Sequence, residues 1–491
     1  MKIYKLLPLV LLASLFLLPQ LVQAQYYEDD LKYRKWRVTI FPPLSTNGVE
    51  APNYTAKYSI NLIGGYHGGL DGFEIGSLFN YNKFYSHGFQ IAGGVNATGG
   101  SMAGVNLAGG LNFSDYDMTG IQIAGGVNVS GNNLEGIQAA GLFNIAKGSS
   151  SGLQFAGIGN ISNNNIEGLQ GAGILNAALG DISGLQGAGI ANIAKENVEG
   201  LQVSGVLNLA GSDMVGLQAT GAASIALGNM EGLMMSGGVN IANKEASGLM
   251  IAGGLNYARE LNGLAISGGA NIAEELQGMQ IAGLLNVSKK ATGLQVGVIN
   301  LAQEFEGVPI GFFSLYGNGR KNFDVRFSDG GFTDIGLTLG TYRVYNMAVF
   351  GYNPLLDRDV YRVGIAVGLE KNIQESFPNM VSNTLYVNQE FSMMHHFEDD
   401  WKSRNNKIYS YKFLVGKRFG SGLSLYAGPS LNMQVTREPD AVDYTWYSIW
   451  SPSAKGRDYR FWVGFSVGLR LFKQKNMPLF KDEFNGWDID W

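Results

Sequence analysis

The stretch "GLQVGVIN", Gly293 to Asn300, is one residue shorter than its counterparts upstream, "GMQIAGLLN" (Gly278 to Asn286), "GLQVSGVLN" (Gly200 to Asn208) and "GIQIAGGVN" (Gly120 to Asn128). Removing a residue from a straight strand turns every later side chain to the opposite face. Removing it from a bend only tightens the bend. Gly297 alone stands where other units carry Ala-Gly or Ser-Gly, and glycine tolerates the dihedrals a corner requires. The short unit therefore predicts a corner between the Gln and the Asn.

Working outward, glycines recur every 16 residues from Gly72 to Gly248, then at intervals of 15 to Gly263, Gly278 and Gly293, and of 14 to Gly307. An Asn stands eight positions after the glycine in nearly every unit from Asn80 to Asn286, with Ser224 the interior exception. The unit reads G-[LI]-Q-x-[AS]-G-x-x-N-[IVL]-[AS], then three mostly polar residues and an apolar one, and sixteen such units fill 72–316. Polar triplets such as "NNN" (163–165) and "KEN" (195–197) mark one exposed turn per period. The rest alternates, without a 3.6-residue period, so the region is β structure.

Two β arrangements compete. Each unit is either one membrane stave of a large antiparallel barrel or one coil of a parallel solenoid. In a coil, ten extended residues cover about 33 Å while six return at most about 20 Å, so the coil has to bend inside the motif. Volume compensation points the same way. Where the fourth position is large the seventh is usually glycine (Ile91 with Gly94, Ile251 with Gly254), and where the fourth is small the seventh is large (Gly171 with Ile174, Gly187 with Ile190), with Phe155 and Ile158, and Ile281 and Leu284, as exceptions. This pairing suggests that the two positions share one interior. The linkers show no odd-even alternation of short turns and long loops, and all seven tryptophans lie outside the repeats.

The expected fold is thus all-β: a parallel β-solenoid of about sixteen 14–16-residue coils, making a rod of about 75 Å, plus an antiparallel barrel-like C-terminal region. The alternative is one large transmembrane β-barrel that includes the repeats around a Gln/Asn-lined lumen, and so a pore. In the solenoid the Asn side chains stack as a ladder that satisfies backbone groups at a corner.

Both ends of the chain differ from the repeats. Residues 1–24 carry Lys2 and Lys5, the apolar run "LLPLVLLASLFLLPQLV" and a small-x-small ending, "VQA", which reads as a secretory signal peptide with the mature chain starting at Gln25. Residues 25–71 form a lead-in with strands "WRVTIF" (36–41) and "KYSINLIGGY" (57–66), expected to cap the first repeat or to join the C-terminal sheet. Residues 317–472 hold eight candidate strands, at 323–328, 334–342, 344–352, 360–370, 384–394, 407–419, 423–435 and 459–472, the pattern of a meander or small membrane barrel. A tail, 473–491, follows.

Composition limits function. The chain has no cysteine, which excludes disulfides and a lipid on an N-terminal cysteine, and its formal charge of -5 becomes -7 once Lys2 and Lys5 are removed, no signature of a nucleic-acid binder. After the signal no apolar run of about 18 residues remains, so membrane insertion would have to use strands. The repeated Gln, Ala, Asn and aliphatic positions supply no acid, base or nucleophile, no phosphate loop is present and no G-x-S-x-G elbow is found where a strand passes into a helix, so no enzyme, catalytic residue, cofactor or metal site is expected. In "HHFEDD", adjacent His395 and His396 would face opposite ways on a strand, and the segment is expected to be a polar turn between strands. "SDGG" (328–331) and "PDAVD" (439–443) each offer too few oxygens for calcium. His67 and His87 flank the first repeat without an obvious partner.

The units "GLQVSGVLNLA" (200–210) and "GLQVGVINLA" (293–302), with a signal peptide before them and barrel-like strands after them, resemble bacterial surface-repeat proteins built from GxQxxGxxN units. The resemblance implies an envelope location and carries no site residues. The expectation is an exported structural or interaction protein at the outer membrane, bound to lipid through its C-terminal strands, with an envelope protein or a glycan as candidate partner. A secreted adhesin is the remaining rival.

Overall fold

The structure is a computed structural model that describes residues 31–375, 384–399, 406–420, 422–437, 441–445, 447–454 and 456–472. The expected signal peptide and C-terminal tail lie outside them. The chain forms two units, one ending at Gly141 and one beginning at Leu142.

In the first unit, strand Lys32–Phe41 pairs in parallel with Tyr54–Asn61, which pairs in parallel with Gly64–Gly76, and that with Phe79–Ala92. The lead-in strands thus belong to the coil sheet and not to the C-terminal one. From Ser101 onward each coil has two strands, such as Met118–Ala124 and Val127–Ser130, stacked on their own repeat copies: Gly136 over Gly120, Gln138 over Gln122, Asn128 over Asn112.

The second unit opens with the same coils. Strands of seven residues (Ile182–Ala188, Val198–Ser204) alternate with strands of four (Ala191–Ala194, Leu207–Ala210), all parallel and in register. Parallel stacking overturns the alternative of antiparallel staves around a lumen. The shortened units show where residues can be lost. Between Ala242↔Ala258 and Glu245↔Glu260 one residue disappears from the polar turn, and from there the two strands run together as single strands such as Leu255–Ser267. The second loss falls between Ile281↔Val296 and Leu285↔Ile299, at the Ala-Gly corner. Gln295 and Asn300 both remain fully buried, so the corner absorbed the deletion as expected.

Gly200 shows why glycine recurs. Its φ of 133° is one that side chains rarely adopt, and a Cβ there would collide with the carbonyl oxygen of Gly184, its neighbour in the stack. Inside the coil, amides and apolar side chains form separate rows. Gln186 donates to Gln170 (2.8 Å) and Gln202 to Gln186 (2.9 Å). Asn176 donates to the Asn192 side chain (2.9 Å) and to the carbonyl of Gly187 (2.9 Å), which fulfils the expected backbone role of the ladder. The apolar row contains Ile182, Val198 and Met214 facing Ala194 and Ala210. Both amide rows break at one place: Ser224 interrupts the Asn ladder and Met234 follows Gln218, leaving Gln218 Oε1 and Asn240 Oδ1 without donors among the described residues.

The volume compensation between positions four and seven requires a correction. Val203, Ile174, Ile190 and Ile123 are exposed, so these positions share the outer surface and not an interior. With Gln directed inward, strict alternation turns the fourth position out and the following Ala in. The seventh lies on the convex side of the corner.

Eight antiparallel strands then close a barrel: Arg320–Ser328, Thr333–Gly340, Val344–Asn353, Val360–Asn372, Leu385–Glu398, Asn406–Phe419, Leu423–Thr436 and Arg457–Leu471, the last pairing back onto the first. All eight were expected, with ends within four residues. His395 and His396 are the correction: they lie within the fifth strand and not in a turn, and they face opposite ways. The final coil rung, Phe313–Tyr316, packs against the second and third barrel strands. There Asn346 donates to Ser314 Oγ (2.8 Å), which also receives Asn300 Nδ2 (3.3 Å). The Asn ladder thus ends on the barrel wall.

Gly200→Ala is expected to lower coil stability by about 2 kcal/mol or more through strain and overlap, whereas Val203→Ala on the outer face should change it by about 0.5 kcal/mol or less. Thermal melts of the full chain followed by circular dichroism measure both, and equal midpoints for the two variants would refute the close-stacking account.

Candidate functional site: an inverted barrel and its buried charges

Strand alternation divides the barrel's side chains into two populations. Those pointing inward include Asp324, Arg326, Glu370, Glu390, Lys412 and Arg470, all buried. Those pointing outward include Ile365, Val367, Phe391, Phe413, Leu431 and Phe465, all exposed. Water-soluble barrels have the opposite polarity, whereas barrels in lipid have this one. The outward run Tyr361 to Leu369 on the fourth strand covers about 27 Å, or about 20 Å in height for a strand tilted by ~40°, most of the ~25 Å apolar band of membrane barrels.

The lumen is filled by paired charges. Glu390 receives both Nη atoms of Arg326 (2.6 and 2.9 Å), Lys412 Nζ (3.1 Å) and the Tyr345 hydroxyl (3.2 Å). Glu370 receives Arg320 (2.8 Å), Arg418 (2.6 Å) and Arg470 (2.9 Å). Asp324 holds Arg470 Nε (2.9 Å), the Tyr426 hydroxyl (2.9 Å) and Thr338 (2.6 Å). Nearer the other end, Arg362 forks onto Asp334 (2.7 and 2.5 Å). Such pairs offset desolvation only when the remaining donors and acceptors are also matched; Tyr345, Tyr426 and Thr338 supply part of that match, while Arg320 Nε and Arg418 Nη1 find no partner among the described residues. A cavity of about 20 Å³ lies between Ser328, Ser392, Lys412, Asn432 and Trp462, room for about one water.

The two loops judged too poor in oxygens for calcium are described in part. Asp329 accepts the Trp462 indole N–H (2.9 Å), and Pro439 and Asp440 lie outside the described residues. His396 is buried against Phe332 and Tyr444.

A second ionic cluster, in the first unit, was missed in the sequence. Glu74 occupies the Gln position of the first repeat and pairs with Arg37 (2.9 Å). It also accepts from Ser59 (2.8 Å), Asn61 (3.0 Å), Asn82 (2.8 Å) and Gln90 (2.8 Å). The carboxylate where the following units, from Gln90 to Gln218, all offer an amide was the available signal. His67 lies beside it, 3.9 Å from Glu74 and 3.0 Å from Asn61 Oδ1. Burial, then the Arg37 charge, holds His67 well below the usual histidine range. For Glu74 burial acts upward, but Arg37, His67 and the amide donors outweigh it and hold the carboxyl below the usual range.

Comparison with family models, with curated proteins and with solved structures finds no match to this chain.

The pH dependence has a definite sign. The unfolded chain binds a proton at His67 below about pH 6.5 that the folded chain refuses, so stability falls as pH drops through that value. Glu74 contributes stability above about pH 4.3 that is lost on further acidification toward its depressed folded value. Hydrogen exchange of Gly64–Gly76, corrected for intrinsic rates, should lose protection in both windows. His67→Gln should abolish only the upper loss, and an unaltered profile in that variant would contradict the assignment. In the barrel, Glu390→Ala leaves Arg326 and Lys412 without their carboxylate, at a cost of about 3–5 kcal/mol. The compact band on unheated detergent gels should then disappear at a lower temperature than in the parent, and an unchanged transition would argue against the ionic core.

Proposed function

We propose that this chain is an exported envelope protein whose C-terminal barrel is an outer-membrane anchor and whose coils are a non-catalytic scaffold, those of the second unit joined to the barrel wall. The inverted polarity of the barrel carries this reading: an apolar outer wall is costly in water, and a charged, hydrogen-bonded interior is compatible with lipid outside. The filled lumen favours an anchor over a pore.

The barrel's ends suggest its orientation. At the end where the chain enters from the coils, connections of three residues join Gly340 to Val344 and Phe419 to Leu423, with twelve between Asn372 and Leu385. At the opposite end the connections are four, six, seven and, between Thr436 and Arg457, twenty residues. Membrane barrels keep short turns on the periplasmic side and longer loops outside, and the two three-residue turns at the coil end and the twenty-residue loop at the other support a periplasmic side for the coils that adjoin the barrel.

Fractionation and proteolysis of cells test the proposal together. The chain should stay with the membrane through alkaline and urea washes and enter detergent. Protease added to intact cells should cut only the Thr436–Arg457 loop, with the coils reached after permeabilisation. Release by washing, or cleavage of the coils on intact cells, would refute the anchor or its orientation respectively. In planar bilayers the protein should give no stepwise conductance.

A further inference from the structure

We propose that the coils of the second unit lie along a lipid surface, with their Ala-Gly corner edge in contact with the headgroup-acyl boundary and the polar-turn edge in water. The proposal rests on the barrel being membrane-embedded and adds a second membrane contact.

Three observations lead to it. First, the coil has the same inverted polarity as the barrel. In the unit beginning at Gly184, Gln186 and Asn192 are buried while Leu185 and Ile190 are 44% and 48% exposed, and Val206 at the next corner is 49% exposed. The opposite edge carries exposed Lys195, Glu196 and Asn197. The second position is apolar in all eleven units from Gly152 to Gly307, about 50 Å at ~4.8 Å per coil, and the corner itself is apolar at Ile158, Ile174, Ile190 and Val206 and again at Leu284, Val298 and Phe312, with Ala222, Gly238, Gly254 and Gly269 between them. A monomer in water rarely exposes so large a patch, and apolar faces backed by a charged edge suit an interface.

Second, the backbone permits it. Each inner strand pairs with the coils before and after it, so the faces carry no row of unpaired backbone groups that lipid would penalise.

Third, the stack is joined to the barrel in a way that selects lipid as occupant. Asn346 and Leu339 are outward-facing positions of the barrel wall, yet both are buried. Asn346 completes the ladder that runs through Asn300 and Ser314 along the stacking direction. The stack therefore meets the wall end-on and extends sideways from it. The next outward residues up the wall, Leu337 and Ala348, already belong to the apolar band. The last corner residue, Phe312, directly precedes the rung Phe313–Tyr316 that packs on those two strands, which brings the corner stripe to the edge of that band.

The absence of native cysteine allows single labelling sites in the full chain. Ile190→Cys and Val206→Cys report the corner, Glu196→Cys the polar edge and Phe413→Cys the barrel wall. Each variant carries an environment-sensitive fluorophore and is reconstituted into phospholipid vesicles containing lipid-borne quenchers. The expected result is a loss of fluorescence at Ile190 and Val206 comparable to that at Phe413, with Glu196 quenched only by aqueous iodide. If Phe413 is quenched by lipid but the corner sites respond to iodide, the proposal fails and the anchor stands. If Phe413 is not quenched by lipid, the anchor itself fails. Corner sites shielded from both quenchers would mean that protein, such as a second copy, covers the stripe, which also overturns the proposal.

Discussion

In-register parallel stacking is the constraint on which the coils depend. It places each residue over its own copy from the previous unit, so a position is acceptable only if it is compatible with itself. Asn and Gln meet that condition because an amide both donates and accepts, and a column of them can satisfy itself indefinitely. Glycine meets it where the next carbonyl leaves no space for a Cβ. An inward-facing carboxylate does not, since a buried column of like charges repels, whereas on the solvent edge Glu245, Glu260 and Glu275 do stack in register. Glu74 occurs in the first repeat, where the strand arrangement is no longer periodic and Arg37 can reach it.

The barrel obeys a different rule with the same outcome. Its strands are not copies of one another, so charges can be matched pair by pair: Glu390 to Arg326 and Lys412, Glu370 to three arginines, Asp324 to Arg470. Buried polar groups are paired differently in the two parts of the second unit, by self-complementary amides in one and by ion pairs in the other. The two systems meet where Ser314 receives hydrogen bonds from both Asn300 and Asn346.

Much of this was legible in the sequence, for identifiable reasons. The coil followed from one missing residue in Gly293–Asn300, because parity makes a deletion inside a strand intolerable. The eight barrel strands followed from alternation of aromatic and polar residues. The faces of positions four and seven were assigned wrongly because size compensation reports proximity and not which side of the wall two residues occupy. The inverted polarity of the coil was hidden for a related reason: Gln and Asn look like surface residues until stacking shows them paired inside. His395 and His396 resembled a turn because "HHFEDD" is polar throughout, yet strand pairing reaches Glu398 before the chain turns. The ion pairs of the lumen join residues up to 146 positions apart, as Asp324 and Arg470 are, and no local pattern announces them.

A density map of the full chain in a lipid nanodisc tests the central claim most directly. The account predicts eight strands threaded through the bilayer density, with Ile365, Phe413 and Leu431 at its mid-height and side-chain density across the lumen. A barrel standing clear of the bilayer, or its outer wall covered by protein in place of lipid, would contradict it.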